Sequence, residues 1–192
     1  MSEFRIFMES KADVKFVIDF ISERFGNKLE ISDFDTLNSW SGYKAGGGIE
    51  DAIQQNYDNG KQTILILDAD NDYTKRYAEV TSDFQGYGIP VHLFLFPNSR
   101  LNGNLESLLT EIAVDRKLID CFVGYEVCVK DYNLSLEKSR IYSYLDSILP
   151  ENDKIKKNDL RKEENRNYRN TDHWNLHHEY LQPLHDFLSP FF

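Results

Sequence analysis

Three acidic residues stand directly after short apolar runs of the chain. Glu9 follows residues 4–8, and Asp68 and Asp70 follow residues 63–67 within the sequence Leu-Asp-Ala-Asp-Asn-Asp. Side chains two apart on an extended chain point the same way, so we expect Asp68 and Asp70 to present two carboxylates to one ion. Mg²⁺ prefers one or two carboxylates, several waters and a substrate phosphate. The pattern therefore predicts a site for Mg²⁺ or Mn²⁺, and without a cation the crowded carboxylates would raise a pKa.

These carboxylates can meet only if the strands that precede them are neighbours in one sheet. Four apolar runs are predicted strands: residues 4–8, 29–34, 63–67 and 91–96. Apolar residues at helical spacing lie between them and predict three helices, within residues 14–25, 49–57 and 77–84. Alternating strands and helices without hairpin signals predict an α/β fold: a mostly parallel sheet of four or slightly more strands, flanked by helices. In such a sheet, functional side chains gather at the carboxyl ends of the strands.

The chain after residue 97 shows helical periodicity only. We therefore expect an α/β core over residues 1–97 and a helical extension over residues 98–192 that packs on it, as one compact unit. A polar stretch at about residues 151–172 lacks any periodicity, which predicts a loop or a mobile insert of about twenty residues.

Two cysteines lie in one helical stretch of the extension. Cys121 and Cys128 are seven residues apart, which separates them by about 10 Å along a helix axis, too far for a disulfide. We expect both thiols to be buried as small apolar side chains.

The formal net charge of −10 argues against a broad, sequence-independent grip on nucleic acid. Residues 154–169 are an exception, with seven Lys or Arg against three Asp or Glu. If the protein touches a nucleic-acid backbone, the candidate contacts are Lys11, Lys156, Lys157 and Arg161.

No stretch of the sequence approaches the roughly 20 apolar residues of a membrane helix. The first residues, Met1-Ser2-Glu3, also lack the features of a signal peptide. We therefore expect a cytoplasmic protein without a membrane partner, while the sequence leaves the oligomeric state open.

The acidic residues stand in motifs that resemble those of Toprim domains. The chain contains Phe-Met-Glu9-Ser-Lys-Ala-Asp13 and Ile-Leu-Asp68-Ala-Asp70-Asn-Asp72. Toprim domains of topoisomerases, primases, recombination proteins and OLD-type nucleases open with a strand that ends in Glu-Gly, and they carry Asp-x-Asp after a later strand. The Glu-x-x-x-Asp spacing resembles the OLD-type variant. Serine stands in the place of the usual glycine, at position 10.

The resemblance covers about the first 97 residues and implies metal-dependent chemistry on a phosphodiester. It implies that Asp68 and Asp70 hold Mg²⁺, and that Glu9 completes the metal shell or acts as a general acid or base. Further candidate ligands are Asp13, Asp72 and Glu106. The run 97–106, together with residues 174–188, is similar to a family of small stand-alone bacterial Toprim-like proteins. The leading hypothesis is thus a Mg²⁺-dependent, nuclease-like enzyme.

Other interpretations compete with this hypothesis. A non-catalytic Toprim-like module that binds a protein partner agrees with the net charge and with Ser10. Phosphatases of the haloacid-dehalogenase type also use Asp-x-Asp, but after the first strand, whereas here it follows the third. Asp13 and Glu106 equally suit the first turn of a helix. His173 and His177 have a spacing that can share a zinc ion, without an acidic third ligand at motif spacing.

Overall fold

Four short strands form the centre of the protein. The computed structural model describes residues 3–37, 49–132, 136–149 and 159–192. The strands are β1 (Phe4–Met8), β2 (Phe34–Thr36), β3 (Gln62–Asp68) and β4 (Val91–Phe96). Every neighbouring pair is parallel, and the order across the sheet is β2-β1-β3-β4. The predicted α/β fold with a parallel sheet is confirmed, and β1 and β3 are its central strands.

Helices between and after the strands flank the sheet. They are α1 (Lys11–Phe25), α2 (Ile49–Asp58), α3 (Tyr73–Tyr87), α4 (Leu105–Ile112), α5 (Arg116–Val129), α6 (Glu137–Ile148) and α7 (Gln182–Leu188). Gly26 ends α1 in a left-handed conformation with φ of 73°, which glycine adopts without a steric penalty. No helix in the described part of the chain combines the length and apolar content that crossing a membrane requires.

The two faces of the sheet pack against different helices, because successive side chains of a strand point to opposite faces. Ile6, Ile64 and Phe94 belong to the core on the side of α1, α4, α5, α6 and α7. Phe7 and Leu65 belong to the core on the side of α2 and α3. The helical extension therefore shares a core with α1.

The second strand starts later than the sequence predicts. Residues 31–33 form a 3₁₀ turn, and β2 covers only residues 34–36. The side chain of Asp33 accepts a hydrogen bond from the backbone N–H of Glu30 at 2.8 Å, which holds this turn, and Ile31 is 69% exposed. The apolar run 29–34 is thus partly a surface turn.

The polar stretch of the extension packs onto α1 where the structure describes it, so residues 159–172 are a largely irregular but anchored segment and not a mobile insert. Arg166 and Tyr168 are buried. The backbone N–H of Tyr168 donates to Asp19 Oδ2 at 2.9 Å, and Arg166 donates to the carbonyl of Leu160 at 3.0 Å. These hydrogen bonds and the buried ring of Tyr168 fix the segment against the protein. Such contacts produce no periodic pattern of apolar residues in the sequence. Residues 150–158 lie outside the described residues.

The prediction for the cysteines is also wrong, since Cys121 and Cys128 are both exposed. Ile119 is the buried residue of α5. This helix contacts the rest of the protein along one side, and the cysteines lie on the other.

Candidate functional site

The carboxyl ends of β1 and β3 meet at the point where the chain changes direction across the sheet. From β1 the chain crosses to β2 on one side, and it returns to place β3 on the other. Open α/β sheets bind their ligands at such a point, in the crevice beyond the strand ends. Glu9 follows β1 and Asp68 ends β3, and the backbone N–H of Asp68 donates to Glu9 Oε2 at 3.2 Å. Residues 59 positions apart are thus in direct contact.

A pocket of about 360 Å³ opens beside this contact. Its walls come from the start of α1, the end of β3 and three parts of the helical extension: the start of α4, the start of α6 and the segment around Glu163. The lining residues are Glu9, Ser10, Lys11, Ala12, Asp13, Asp68, Asn104, Leu105, Glu106, Lys138 and Glu163. Five of the eleven are acidic, and the volume is within the range of small-molecule sites.

Asp13 stabilises the first turn of α1, as its structural interpretation predicts, and it also lines the pocket, so its role as a metal ligand stays a prediction. Its Oδ2 accepts a hydrogen bond from the backbone N–H of Ser10 at 2.9 Å, and Ser10 Oγ accepts one from the backbone N–H of Asp13 at 3.3 Å. This reciprocal pair caps α1. Burial, together with the charges of Glu9 and Glu106, raises the pKa of Asp13 to about 7 against the lowering effect of the Ser10 hydrogen bonds. Ser10 has an extended backbone, with φ of −141°, which needs no glycine.

Asp68 is the least compensated carboxylate of the pocket. Its Oδ1 is buried, and no group in the described ranges donates a hydrogen bond to it. Burial and then the charges of Asp13, Glu9, Glu106 and Asp70 raise the pKa of Asp68 well above its ordinary value. A buried acceptor without a donor is costly, so its presence calls for an explanation.

Glu106 reaches the pocket from the first turn of α4, as both of its interpretations require. It is buried, and Lys138 Nζ on α6 lies 3.6 Å from its Oε1. The same Nζ lies 3.6 Å from Oε1 of Glu163. Sequence motifs do not identify Lys138 and Glu163, because neither follows a strand. The charges of a helix surface and of a polar segment give no sign that they will meet this pocket.

Asp70 and Asp72 turn away from the pocket, in contrast to the expected pairing of Asp68 with Asp70. Asp70 has a positive φ of 52°, and its backbone exchanges two hydrogen bonds with Gly103, at 2.7 and 2.8 Å. Its carboxylate forms an ion pair with Arg76. Asp72 caps α3 by accepting from the backbone N–H of Lys75 at 2.9 Å. Both acids line a separate depression of about 230 Å³. The chain is no longer extended at Asp70, so the two-residue alternation does not apply.

The candidate nucleic-acid contacts are dispersed. Lys11 is exposed and lines the pocket, whereas Arg161 forms an ion pair with Asp146. Lys156 and Lys157 lie outside the described residues. Of the other basic residues in the same stretch, Arg166 is buried and Arg169 pairs with Glu23. A continuous basic surface is therefore not formed by the part of this stretch that the structure describes.

The histidines of the closing segment make separate contacts. His177 Nε2 lies 3.3 Å from Glu23 Oε1, His178 accepts from the backbone N–H of Tyr180 at 3.2 Å, and His173 lies 3.3 Å from the amide of Asn170. They do not form a shared zinc site.

The donors of the pocket are carboxylate oxygens, the ligands that Mg²⁺ and Mn²⁺ prefer. As placed, no three His, Cys, Asp or Glu side chains in the described ranges come close enough to hold one metal ion. The site is thus an open acidic cluster, in which a bound ion would keep several waters. Comparisons of the chain with models of protein families, with curated proteins and with solved structures find no match.

Proposed function

We propose that the protein is a Mg²⁺- or Mn²⁺-dependent enzyme that cleaves phosphodiesters in the manner of a nuclease. The observation that carries this proposal is Asp68, whose buried Oδ1 lacks a hydrogen-bond donor among the described residues. Asp68 lies at the switch point of the sheet, in contact with Glu9 and in one pocket with Asp13 and Glu106. The Toprim-like motifs around Glu9 and Asp68 support the same chemistry.

A divalent cation would satisfy the group that the fold leaves unsatisfied. The raised pKa values of Asp68 and Asp13 mean that their ionised forms are disfavoured in the metal-free pocket. Glu9 and Asp68 are the ligands we assign to the ion, with Asp13 and Glu106 at the edge of its shell. A bound Mg²⁺ or Mn²⁺ supplies charge stabilisation for a phosphate and lowers the pKa of a water.

The remaining polar residues suit the handling of a proton and of the substrate. Asp13 is suited to general acid or base catalysis, since its pKa of about 7 lies close to neutral pH. Glu9 takes this role if Asp13 serves the ion instead. Lys138 and Lys11 line the same pocket and carry the charge that attracts an anionic substrate.

Metal binding is the first test of the proposal. Mn²⁺ or Mg²⁺ is titrated at pH 8 into the intact chain, into Glu9→Gln and into Asp68→Asn, with thermal melting and calorimetry as readouts. An ion at about 100 times its dissociation constant stabilises the folded state by about 2.7 kcal/mol. We expect a clear rise in melting temperature for the unmodified chain and little or none for both variants. Lack of any rise with either ion would refute the proposal.

Cleavage is tested on the same samples with bis(p-nitrophenyl) phosphate, single-stranded DNA and RNA, each with and without Mn²⁺. We expect cleavage that EDTA abolishes. Cleavage that persists in EDTA, or that Asp68→Asn leaves intact, contradicts the assignment of Asp68 as a metal ligand.

A non-catalytic module that binds a protein partner is the second candidate. The ion pair of Asp70 with Arg76 favours it, because only one of the two Asp-x-Asp carboxylates then faces the pocket. The two candidates differ in turnover: the module binds Mn²⁺ or nothing and cleaves none of the three substrates.

A further inference from the structure

Two tyrosines lie side by side on the first two turns of α3. Tyr73 and Tyr77 are four residues apart, which places them on one side of the helix. Their ring centroids are 5.8 Å apart, and the ring planes are inclined by 33°. Tyr77 is 44% exposed, and Tyr73 is half-buried. The pair therefore leaves aromatic surface accessible to solvent.

The loop between β4 and α4 adds a cation and an apolar side chain beside these rings. Burial and the neighbouring Tyr77 raise the pKa of Tyr73, and the charge of Arg100 opposes this rise, so the guanidinium lies close to the ring. Arg100 is exposed, and no acid in the described ranges forms an ion pair with it. Leu101, the next residue, is 54% exposed. We call Tyr73, Tyr77, Arg100 and Leu101 the tyrosine surface.

The same loop joins the tyrosine surface to the wall of the acidic pocket. Asn102 Oδ1 accepts a hydrogen bond from the backbone N–H of Tyr73 at 2.9 Å. Gly103 exchanges backbone hydrogen bonds with Asp70, and Asn104 lines the pocket. Two residues of chain span at most about 7 Å, so Asn102 and Asn104 are close together. The loop thus holds the surface and the pocket in a fixed relation to each other.

Aromatic rings beside a cation suit the binding of unpaired nucleobases. A base stacks on the ring and a phosphate pairs with the cation, with little dependence on sequence. The net charge of −10 makes contacts to phosphates alone a weak source of affinity in this protein, so stacking has to supply much of the binding energy. Bases within a duplex are already stacked on one another. The tyrosine surface therefore suits single strands and not duplexes.

We propose that the tyrosine surface binds the bases of a single-stranded nucleic acid whose phosphodiester enters the acidic pocket. The proposal rests on the proposed function and names single strands as its substrate class. Tyr73 at the start of α3 and Arg100 after β4 both lie at the carboxyl edge of the sheet, where the pocket opens. The available charge of Arg100 favours a polyanion over an apolar segment of a partner protein.

Binding is measured by fluorescence anisotropy in EDTA with a labelled oligothymidylate of about 12 nucleotides, a length within the site sizes of single-strand binding proteins. The intact chain is compared with Tyr77→Ala, Tyr77→Phe and Tyr57→Ala. Tyr57 is the matched control, because it is 47% exposed on α2 but lies near the starts of β3 and β4, at the opposite edge of the sheet. We expect Tyr77→Ala to weaken binding about tenfold, the effect of losing one stacked base, and Tyr77→Phe and Tyr57→Ala to stay within about twofold of the intact chain.

The type of strand and the salt concentration provide two further readouts. A duplex of the same length should bind at least about tenfold more weakly than the single strand, because its bases are not free to stack on tyrosine. Arg100→Gln should weaken binding and reduce the slope of log affinity against log salt by about 0.7, the value of one phosphate contact on a single strand.

These measurements succeed or fail independently of metal binding. The proposed function is judged by Mn²⁺ binding and by cleavage of bis(p-nitrophenyl) phosphate, which carries no nucleobase. An intact chain that passes those tests but does not bind the oligonucleotide at low salt would overturn the tyrosine surface alone. Equal affinities of Tyr77→Ala and Tyr57→Ala, or of single strand and duplex, would overturn it as well. A chain that binds strands through Tyr77 but binds no Mn²⁺ keeps the surface and loses the proposed function.

Discussion

Asp68 and Asp70 are separated by a single residue, yet the fold treats their carboxylates in opposite ways. Asp68 points into the acidic pocket, where burial and neighbouring acids raise its pKa and its Oδ1 lacks a donor among the described residues. Asp70 forms an ion pair with Arg76 outside the pocket. Position after a strand therefore does not by itself define a ligand site. A carboxylate is a candidate ligand when no hydrogen-bond donor or cation of the protein already compensates its charge.

The two ends of α1 repeat this contrast on a larger scale. Asp13, at the start of the helix, has its pKa raised to about 7 by burial and by acidic neighbours. Glu23, near the other end, lies 3.3 Å from both Arg169 and His177, and these hydrogen bonds and charges lower its pKa. One end of α1 is thus part of a site that is suited to a cation, whereas the other end has its partners within the chain.

Substitutions of Asp68 and Asp70 should differ most strongly in their effect on catalysis. Asp68→Asn removes a ligand of the metal, and we expect metal-dependent cleavage to fall at least 100-fold, as befits the loss of a group on which transition-state stabilisation depends. Asp70→Asn removes only an ion pair outside the pocket, and we expect a loss of less than about tenfold. The measurement is kcat/KM for bis(p-nitrophenyl) phosphate with saturating Mn²⁺.

Both variants preserve the shape of the side chain, and a melting curve of each in EDTA controls for folding. Asp68→Asn is expected to melt at or above the temperature of the intact chain, because it removes a buried charge. Equal losses of activity in the two variants would mean that Asp70 rotates into the site, and the contrast between the two carboxylates would then not hold in the working enzyme.

An intermediate effect concerns the dependence of stability on pH. A carboxyl whose pKa is higher in the folded than in the unfolded state stabilises the fold while both states are protonated, and this contribution is lost as pH rises through the folded pKa. Asp13 and Asp68 both have raised pKa values. At about 1.4 kcal/mol per pKa unit, the free energy of unfolding should fall by a few kcal/mol between pH 5 and pH 8 without divalent ions.

Urea unfolding at intervals across this range measures the slope. We expect a shallower slope for Asp13→Asn and Asp68→Asn, and also for the intact chain with Mn²⁺ present. Glu23→Gln serves as the control: the pKa of Glu23 is lowered, so its titration is complete below this range and the slope is retained. A stability that rises from pH 5 to pH 8 in EDTA would contradict the account of the pocket.

The sheet could be predicted because its strands and helices follow from local signals. Uncharged β-branched runs such as residues 63–67 form buried strands, and parallel strands bring their carboxyl ends to one edge. The meeting of Glu9 with Asp68 also requires β1 and β3 to be neighbours. Local periodicity does not give the order of the strands, so this expectation rested on the acidic motifs.

The rest of the site depends on contacts between distant parts of the chain. The turn of Asp70 is set by two backbone hydrogen bonds to Gly103, 33 residues further on. Lys138 and Glu163 arrive with the packing of α6 and of the segment that Tyr168 anchors to Asp19. Local periodicity does not reveal such contacts. For the same reason, the cysteines were wrongly expected to be buried.

A modest change is expected from a substitution that tests whether Lys138 partly takes the place of a metal ion. Its Nζ lies 3.6 Å from both Glu106 and Glu163, but its side chain is 64% exposed, so Lys138→Gln should destabilise the protein by less than about 1 kcal/mol at pH 8 in EDTA. The loss should be smaller at pH 5, where Asp13 and Asp68 bind protons and the pocket carries less negative charge. Removing a competing cation should also tighten Mn²⁺ binding severalfold in calorimetric titrations. Lys28→Gln, an exposed lysine outside the pocket, controls for the change in net charge. If Lys138→Gln and Lys28→Gln change the Mn²⁺ affinity equally, Lys138 acts only through the overall charge of the protein. The negative charge of the pocket carboxylates would then be compensated by the metal ion alone.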